Sequence, residues 1–458
     1  MIMCSISDTV ISEILRRGQI YEVGGAVRDR LLNRTAAAKD RDYLVCGIPF
    51  DNLSRLLSNY GKVDLVGSSF GVIKFTQKRD SSPYTFDISL PRKEYSTGIK
   101  HKDFRISFDP NLSVEDDLSR RDFTINAMAL SLDNNELIDP LNGRLDLKKK
   151  QIRMVSSQAF PEDPLRMLRA IQFAARLEFS IEPKTLKAIK EYAPLIQSVS
   201  TERINEELNK LLVQARKPSV GFRLMQETGL LREILPELEK TVGVDQPGGF
   251  HKYNVFEHTL VMIDETPPKL HMRLAALFHD ITKPQTKQLV PGGATFYGHE
   301  KSGAWVAGKV LKRLRYSTEI IRKVGILVDR HMFTTAVTEK GMRRLIRRVG
   351  RDLIFDLLDI RRADVVAQGM GGTTEDVDEF EQAIRDELEK QPPFGLQDLA
   401  VNGEDIMKMF ELSESPLIGD VLDYLMEKVL DIPEDNNRDK LMEFARSFIA
   451  NRRNKNRL

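Results

Sequence analysis

The sequence predicts an α+β chain in which a head built on a small mixed sheet is followed by regions that are entirely helical. Three observations carry that fold class. Up to about residue 140, short β-rich runs alternate with turns. Beyond them long amphipathic patterns take over, clearest at residues 165–177 and 204–213. Proline and glycine cluster at residues 139–143, 244–249 and 391–395, where the chain breaks between regions. A chain of 458 residues exceeds one compact core, and the expected partition is 1–145, 146–240, 241–340 and 341–458.

The strand signals fall at residues 20–23, 43–46, 72–76 and 85–90. A composition of 41% hydrophobic and 30% charged residues fits a soluble globular protein and leaves no tract that reads as disordered. No apolar run approaches the roughly 18 residues that span a bilayer, and Met1 to Thr9 carries no basic stretch before an apolar core. The expectation is a cytoplasmic protein with no membrane partner. Cys4 and Cys46 stand far apart and in no metal-ligand spacing, which excludes a disulfide framework. The 69 basic residues nearly cancel 67 acidic ones, so distribution matters more than the sum. Lys340, Arg343, Arg344, Arg347, Arg348 and Arg351 crowd one helical stretch, which suits either a phosphate backbone or a solvated face.

In the head, Tyr21-Glu22-Val23-Gly24-Gly25-Ala26-Val27-Arg28-Asp29 runs off a strand, through two glycines, into a helix. Paired glycines let the backbone approach a polyphosphate, although such turns also arise for steric reasons alone. Arg28 is placed to pair with a phosphate. In Lys39-Asp40-Arg41-Asp42-Tyr43, residues two apart in a strand face the same way, so Asp40 and Asp42 project to one side. Adjacent carboxylates call for a cation, and Mg²⁺ is suited to a few carboxylates plus substrate phosphates. Asp87, between apolar neighbours in a strand-like run, is either an outward-facing acid or a third ligand. In Asp117-Leu118-Ser119-Arg120-Arg121-Asp122-Phe123, one arginine is positioned to hold a triphosphate while the other pairs with Asp117 or Asp122.

These stretches, GGAVRD, KDRD, DLSRRDFTINAMA and EDPLRMLRAIQFAARL at residues 162–177, closely resemble the tRNA nucleotidyltransferase and poly(A) polymerase family, bacterial class II type. The resemblance implies a polymerase-β-like head followed by all-α neck, HD and C-terminal domains. It further implies addition of CMP and AMP to the 3′ end of tRNA from CTP and ATP by two-metal transfer. In this reading Asp40, Asp42 and Asp87 are catalytic, the first two holding Mg²⁺, while Gly24, Gly25, Arg28 and Arg121 contact the nucleotide. Residues 90–108 correspond to the mobile loop tied in the family to the change from CTP to ATP.

Glu162-Asp163-Pro164-Leu165-Arg166 opens a helix, and an Asp before Pro has an evident capping role. Cytosine and adenine, however, both offer an amino donor beside a ring-nitrogen acceptor, which an Asp acceptor and an Arg donor match. The family's base-selecting motif falls on Asp163 and Arg166, with Arg169 supporting them. Gln172 stands where many relatives carry a further arginine. Ser68 and Ser69 replace a basic pair usual in bacterial poly(A) polymerases, which favours tRNA end repair; specialised CC-adding or A-adding enzymes are the alternative.

Of seven histidines, His258, His279, His299 and His331, with Asp280, follow the order of HD phosphohydrolases, and His251 precedes them. Imidazoles and a carboxylate from separate helices suit a second divalent metal, with Asp329 competing with His331 as its last ligand. A rival reading makes the chain a metal-dependent phosphohydrolase whose head docks RNA, and another makes it a non-catalytic RNA-binding protein. The C-terminal helices resemble the family's tRNA-gripping module.

Overall fold

The computed structural model describes residues 5–34, 41–66, 71–77, 84–96 and 104–455. Asp40, Ser68 and Ser69 lie outside the described residues, as do residues 97–103 of the segment expected to be a mobile loop. The chain divides into two compact units, Met1–Glu239 and Lys240–Leu458.

The first unit is built on a seven-stranded sheet. Its strands in chain order are β1 (Gln19–Val23), β2 (Asp42–Cys46), β3 (Gly61–Val66), β4 (Val72–Gln77) and β5 (Tyr84–Ser89). A hairpin of β6 (Arg92–Ser96) and β7 (Phe104–Phe108) stands apart, and β8 (Ala129–Ser131) and β9 (Leu137–Ile138) complete the sheet. The order is β3-β4-β5-β2-β1-β8-β9, and only β2 and β5 pair in parallel among these neighbours. The four predicted strands are all present; β3, β8 and β9 gave no comparable signal.

Alternation along the strands assigns each side chain to a layer. Ile20, Tyr43, Val45, Ile73, Phe75, Phe86 and Ile88 face one layer, closed by Val10 and Ile14 of helix Asp8–Leu15 and by Leu53 and Leu57 of helix Phe50–Ser58. Tyr21, Val23, Leu44 and Cys46 face the other, against Val114, Leu118 and Ala129. Central strands β1 and β2 are therefore covered on both sides. Asp42 shares the face of Leu44, and Asp87, between Phe86 and Ile88, points to that same face.

The sheet gives way to helices Leu165–Leu177, Thr201–Gln214 and Pro218–Thr228, the first almost wholly buried. The expectation of purely helical regions needs correction. Gln151–Ile152 pairs in parallel with Ser180–Ile181, and in the second unit Gln288–Val290 and Gly293–Thr295 form a hairpin. These strands are too short to produce a periodic signal, and the hairpin turns at Gly292, whose φ of 83° suits only glycine comfortably.

Elsewhere the second unit is helical, and no helix among the described residues is long and apolar enough to cross a membrane. The basic helix Glu339–Val349 turns its charges onto neighbouring acids. Arg343 pairs with Glu387 and with Glu339, the latter at 2.9 Å. Arg344 reaches Glu427 at 2.7 Å and Asp431 at 3.0 Å, Arg347 reaches Asp423 at 2.7 Å, and Lys340 joins Asp431. Arg351 donates to the Pro392 carbonyl. Much of this segment is thus an internal clamp.

Candidate active site

Beside the ends of β1 and β2 lies a cavity of about 690 Å³ within the first unit. Gly24 and Gly25 bring the end of β1 to its wall. Gly24 has φ 73°, and a Cβ there would stand 2.9 Å from Arg121 Nη1, so glycine answers both the backbone and the crowding. Arg121 lines the cavity and is held by Asp117 Oδ2 at 3.0 Å; Arg120 also pairs with Asp117. Arg28, nearly buried, donates from Nε to Asp29 at 2.8 Å and from Nη1 to Asn126 at 2.7 Å. Asp42 borders the cavity and lies in register with Asp87 across the parallel pair. Asp87 itself does not line the wall.

Helix Leu165–Leu177 supplies the opposite wall with Arg166, Arg169, Gln172, Phe173 and Arg176. Asp163 precedes it and accepts the Leu165 N–H at 3.2 Å, the capping contact expected from its place before Pro164. Its carboxylate also takes both arms of Arg203, at 3.2 and 2.7 Å, from helix Thr201–Gln214. Arg166 borders the cavity, but its guanidinium donates to the Arg120 carbonyl at 2.9 Å and the Ala159 carbonyl at 3.3 Å. Arg169 holds Asp122 through two bonds of 3.0 and 2.7 Å and reaches Glu207. Although burial alone would raise it, Arg169 and Asn126 hold the Asp122 carboxyl below its ordinary value.

Arg203, Arg176 and Phe173 were not predicted. Arg176 carried a signal, being one helical turn beyond Gln172 on the same face, whereas Arg203 comes from another helix. Arg28, Arg169 and Arg176 surround the Phe173 ring, each guanidinium carbon 5.0–5.3 Å from its centroid. Burial and the neighbouring Arg28 push Arg176 down to about 10. Among the described residues, the buried Arg121 Nε and Gln172 Nε2 of this lining have no hydrogen-bond partner. The guanidinium groups of Arg28, Arg121 and Arg176 on one cavity suit a polyphosphate ligand.

The second unit gathers another cluster. His258 comes from helix Val255–Glu265, His279 and Asp280 follow helix Leu270–Phe278, and His299 opens helix His299–Arg313. His331 follows helix Thr318–Arg330, and all five residues are buried. Asp364 of helix Ile354–Gln368 joins them and was not predicted, because it lies beyond the histidine series. Two groups offer converging ligand atoms: His258, His279 and Asp364; and Asp280, His299 and His331. Asp280 links them, 3.0 Å from His279 and 3.4 Å from His299. Asp329 instead pairs with Arg330, while His331 stands within the cluster.

Each of the four imidazoles sets Nδ1 against a backbone carbonyl: Ala367 for His258, Ala276 for His279, Phe296 for His299 and Val328 for His331. A proton on Nδ1 leaves the Nε2 lone pairs facing inward. The Nε2 atoms of His258 and His279 stand 3.2 Å apart, as do those of His299 and His331. Two such lone pairs repel, and metal–nitrogen bonds of about 2.0–2.1 Å fit that separation. Burial, followed by His279, pushes His331 down to about 3. The donor set therefore fits divalent cations.

Known proteins match this chain over most of its length. The poly A polymerase head domain matches residues 20–153, and tRNA nucleotidyltransferase domain 2 matches residues 303–445. The A-adding tRNA nucleotidyltransferase of Deinococcus radiodurans is 34% identical over 351 residues, covering 72% of this chain and 78% of the relative. A multifunctional CCA protein of Actinobacillus pleuropneumoniae is 34% identical over 360 residues, covering 75% and 81%. In structure, the Bacillus stearothermophilus CCA-adding enzyme in complex with CTP aligns over 97% of this chain and 98% of its own, at a TM-score of 0.70 and 24% identity, a likeness of fold. With that identity and coverage, and the head-domain match lying over the glycine turn, Asp42 and the arginine pair, the chain belongs to the bacterial tRNA nucleotidyltransferase family.

Proposed function

We propose that this protein adds CMP and AMP to the 3′ end of tRNA without a nucleic-acid template, completing CCA from CTP and ATP. One observation carries the reading: a single cavity joins Asp42, Arg28 and Arg121 of the head to Asp163, Arg166 and Arg169 at the start of the neck. Phosphate-directed and base-directed groups thus face one ligand. Mg²⁺ held by Asp40 and Asp42, with Asp87 in register beside Asp42, would neutralise the triphosphate and make the primer 3′-hydroxyl easier to deprotonate. Arg28 and Arg121 orient the triphosphate for in-line attack, and Gly24 and Gly25 permit its close approach. Asp163 accepts from the amino group that cytosine and adenine share, Arg166 donates to the adjacent ring nitrogen, and Arg169 fixes the helix by holding Asp122. The relatives include both an A-adding enzyme and multifunctional CCA proteins, so addition of all three nucleotides is the finer part of the proposal. Asp42→Ala is expected to abolish incorporation of labelled CTP and ATP while tRNA binding, measured by filter retention, stays near wild type. Substantial incorporation by this variant would contradict the assignment.

A second reading is favoured by the imidazole cluster, which supports an HD-type phosphohydrolase site in the second unit. His258, His279, Asp280, His299, His331 and Asp364 would hold one or two divalent ions, which when bound supply Lewis-acid activation of water. The chain's own contribution is a buried, tautomerically fixed donor set with Lys283 2.7 Å from Asp280 and Arg361 3.0 Å from Asp364. Titration calorimetry with Mn²⁺ should show fewer bound ions in His279→Ala than in wild type, the head's own carboxylate site being retained.

A further inference from the structure

Helix His299–Arg313 carries a charged row unlike the clamp helix Glu339–Val349, whose Arg343, Arg344 and Arg347 each meet a carboxylate. Lys301, Trp305 and Lys309 recur every fourth residue, all exposed, Trp305 by 63%. At a rise of about 1.5 Å per residue they stand about 6 Å apart along one face, and Lys312, also exposed, continues the row. Among the described residues none of these three lysines pairs with an acid. Lys309 instead sets its ammonium 3.4 Å from the centroid of the Trp305 ring, so a cation and an indole are presented together. Toward the start of the helix the row runs into a groove of about 360 Å³, which Lys301 lines with Arg330, Arg348, Met332 and Phe333. Arg348 is exposed and, unlike its neighbours on the clamp helix, meets no acid among the described residues.

We propose that this face of the helix docks RNA, the lysines on backbone phosphates and Trp305 stacked on an unpaired base. Evenly spaced cations without acid partners match a polyanion, and an exposed indole among them offers a stacking platform that any base can use. A lipid surface fits less well. The helix turns Ala307, Val310 and Leu311 into the core, so Trp305 is the one large apolar side chain in the row. The partner is tRNA, and for that identity the inference rests on the reading of this chain as a tRNA nucleotidyltransferase. The row itself belongs to the second unit and shares no residue with the head's cavity.

Trp305 is the chain's sole tryptophan, so its emission reports from this row and not from the head. Titrating the full chain with tRNA lacking CCA, with no CTP or ATP added, should quench that emission saturably. A Lys301→Gln, Lys309→Gln, Lys312→Gln variant should bind tRNA at least about tenfold more weakly, with the slope of log affinity against log salt flatter by about two. Trp305→Ala should bind about tenfold more weakly by filter retention. All four positions are exposed, and a thermal melt checks that the variants fold. Emission unchanged at saturating tRNA, or wild-type affinity and salt slope in the lysine variant, overturns the proposal. Quenching by phosphatidylglycerol vesicles but not by tRNA also overturns it and assigns the face to a lipid surface. If the lysine variant binds tRNA as expected but the wild-type chain incorporates neither CTP nor ATP, the docking surface stands and the catalytic reading falls.

Discussion

Asp163 shows how two readings of one residue coexist. It accepts the Leu165 N–H as a cap does, and it also binds both arms of Arg203 beside the nucleotide cavity. Asp163→Ala should therefore lower the melting temperature, with a cap worth about 1 kcal/mol, and also admit UTP and GTP. Incorporation of all four nucleotides beside a thermal melt separates the roles, and unchanged selectivity in a destabilised protein would leave only the cap. Gln172 offers a cleaner case. Its buried Nε2 faces the cavity wall without a partner. Leucine there removes an unsatisfied donor, so Gln172→Leu should melt no lower than wild type, while KM for CTP and ATP rises about fivefold through loss of one hydrogen bond. Equal KM values would show that the amide does not touch the nucleotide. The family resemblance pointed to Asp163 and Arg166 where spacing alone favoured a cap, and Arg203 reaches the same cavity from residues that no local pattern connects to it.

At the scale of elements, the basic helix Glu339–Val349 illustrates why charge runs mislead. A one-face arginine pattern is equally suited to phosphate and to a facing acidic helix, and only tertiary structure supplied Glu387, Glu427 and Asp431 as partners. Arg343→Ala should cost about 2 kcal/mol, because the buried Glu387 loses the guanidinium and keeps only Lys390, at 3.0 Å. The salt dependence of tRNA binding should not change with it. A flatter slope of log affinity against log salt would instead place Arg343 on RNA. The Asp122–Arg169 contact joins the head to the neck helix in the same way. The Asp122 carboxyl is held below its ordinary value, so its stabilisation is present above the unfolded pKa of about 3.9 and is lost as pH falls through the folded value. Asp122→Asn should be about 2–3 kcal/mol less stable in denaturant at pH 7, and the gap should narrow below pH 4. A gap independent of pH would mean that packing, not charge, is what the carboxylate contributes. The predicted strands and the two clearest helices were legible because their hydrophobic periodicity is long; the hairpin at Gln288–Val290 and Gly293–Thr295 is too short to have one.

The two candidate sites fall in two compact units, the arginine-lined cavity within Met1–Glu239 and the imidazole cluster within Lys240–Leu458. The histidine series was legible through its likeness to the HD order, whereas Asp364 sits inside a helix whose pattern gives an acid no prominence. Replacing His279 and Asp280 by alanine should remove the Mn²⁺ held by the second unit and leave nucleotide addition intact; loss of both in a folded protein would contradict their independence. The central claim is addition of all three nucleotides, and the most direct test supplies purified protein with tRNA ending at the discriminator base, at C or at CC. CTP alone should extend the first two to CC, ATP alone should extend only the CC end by one A, and both together should complete CCA on every substrate. Extension confined to the CC end with ATP, and no incorporation of CTP on any substrate, would contradict it.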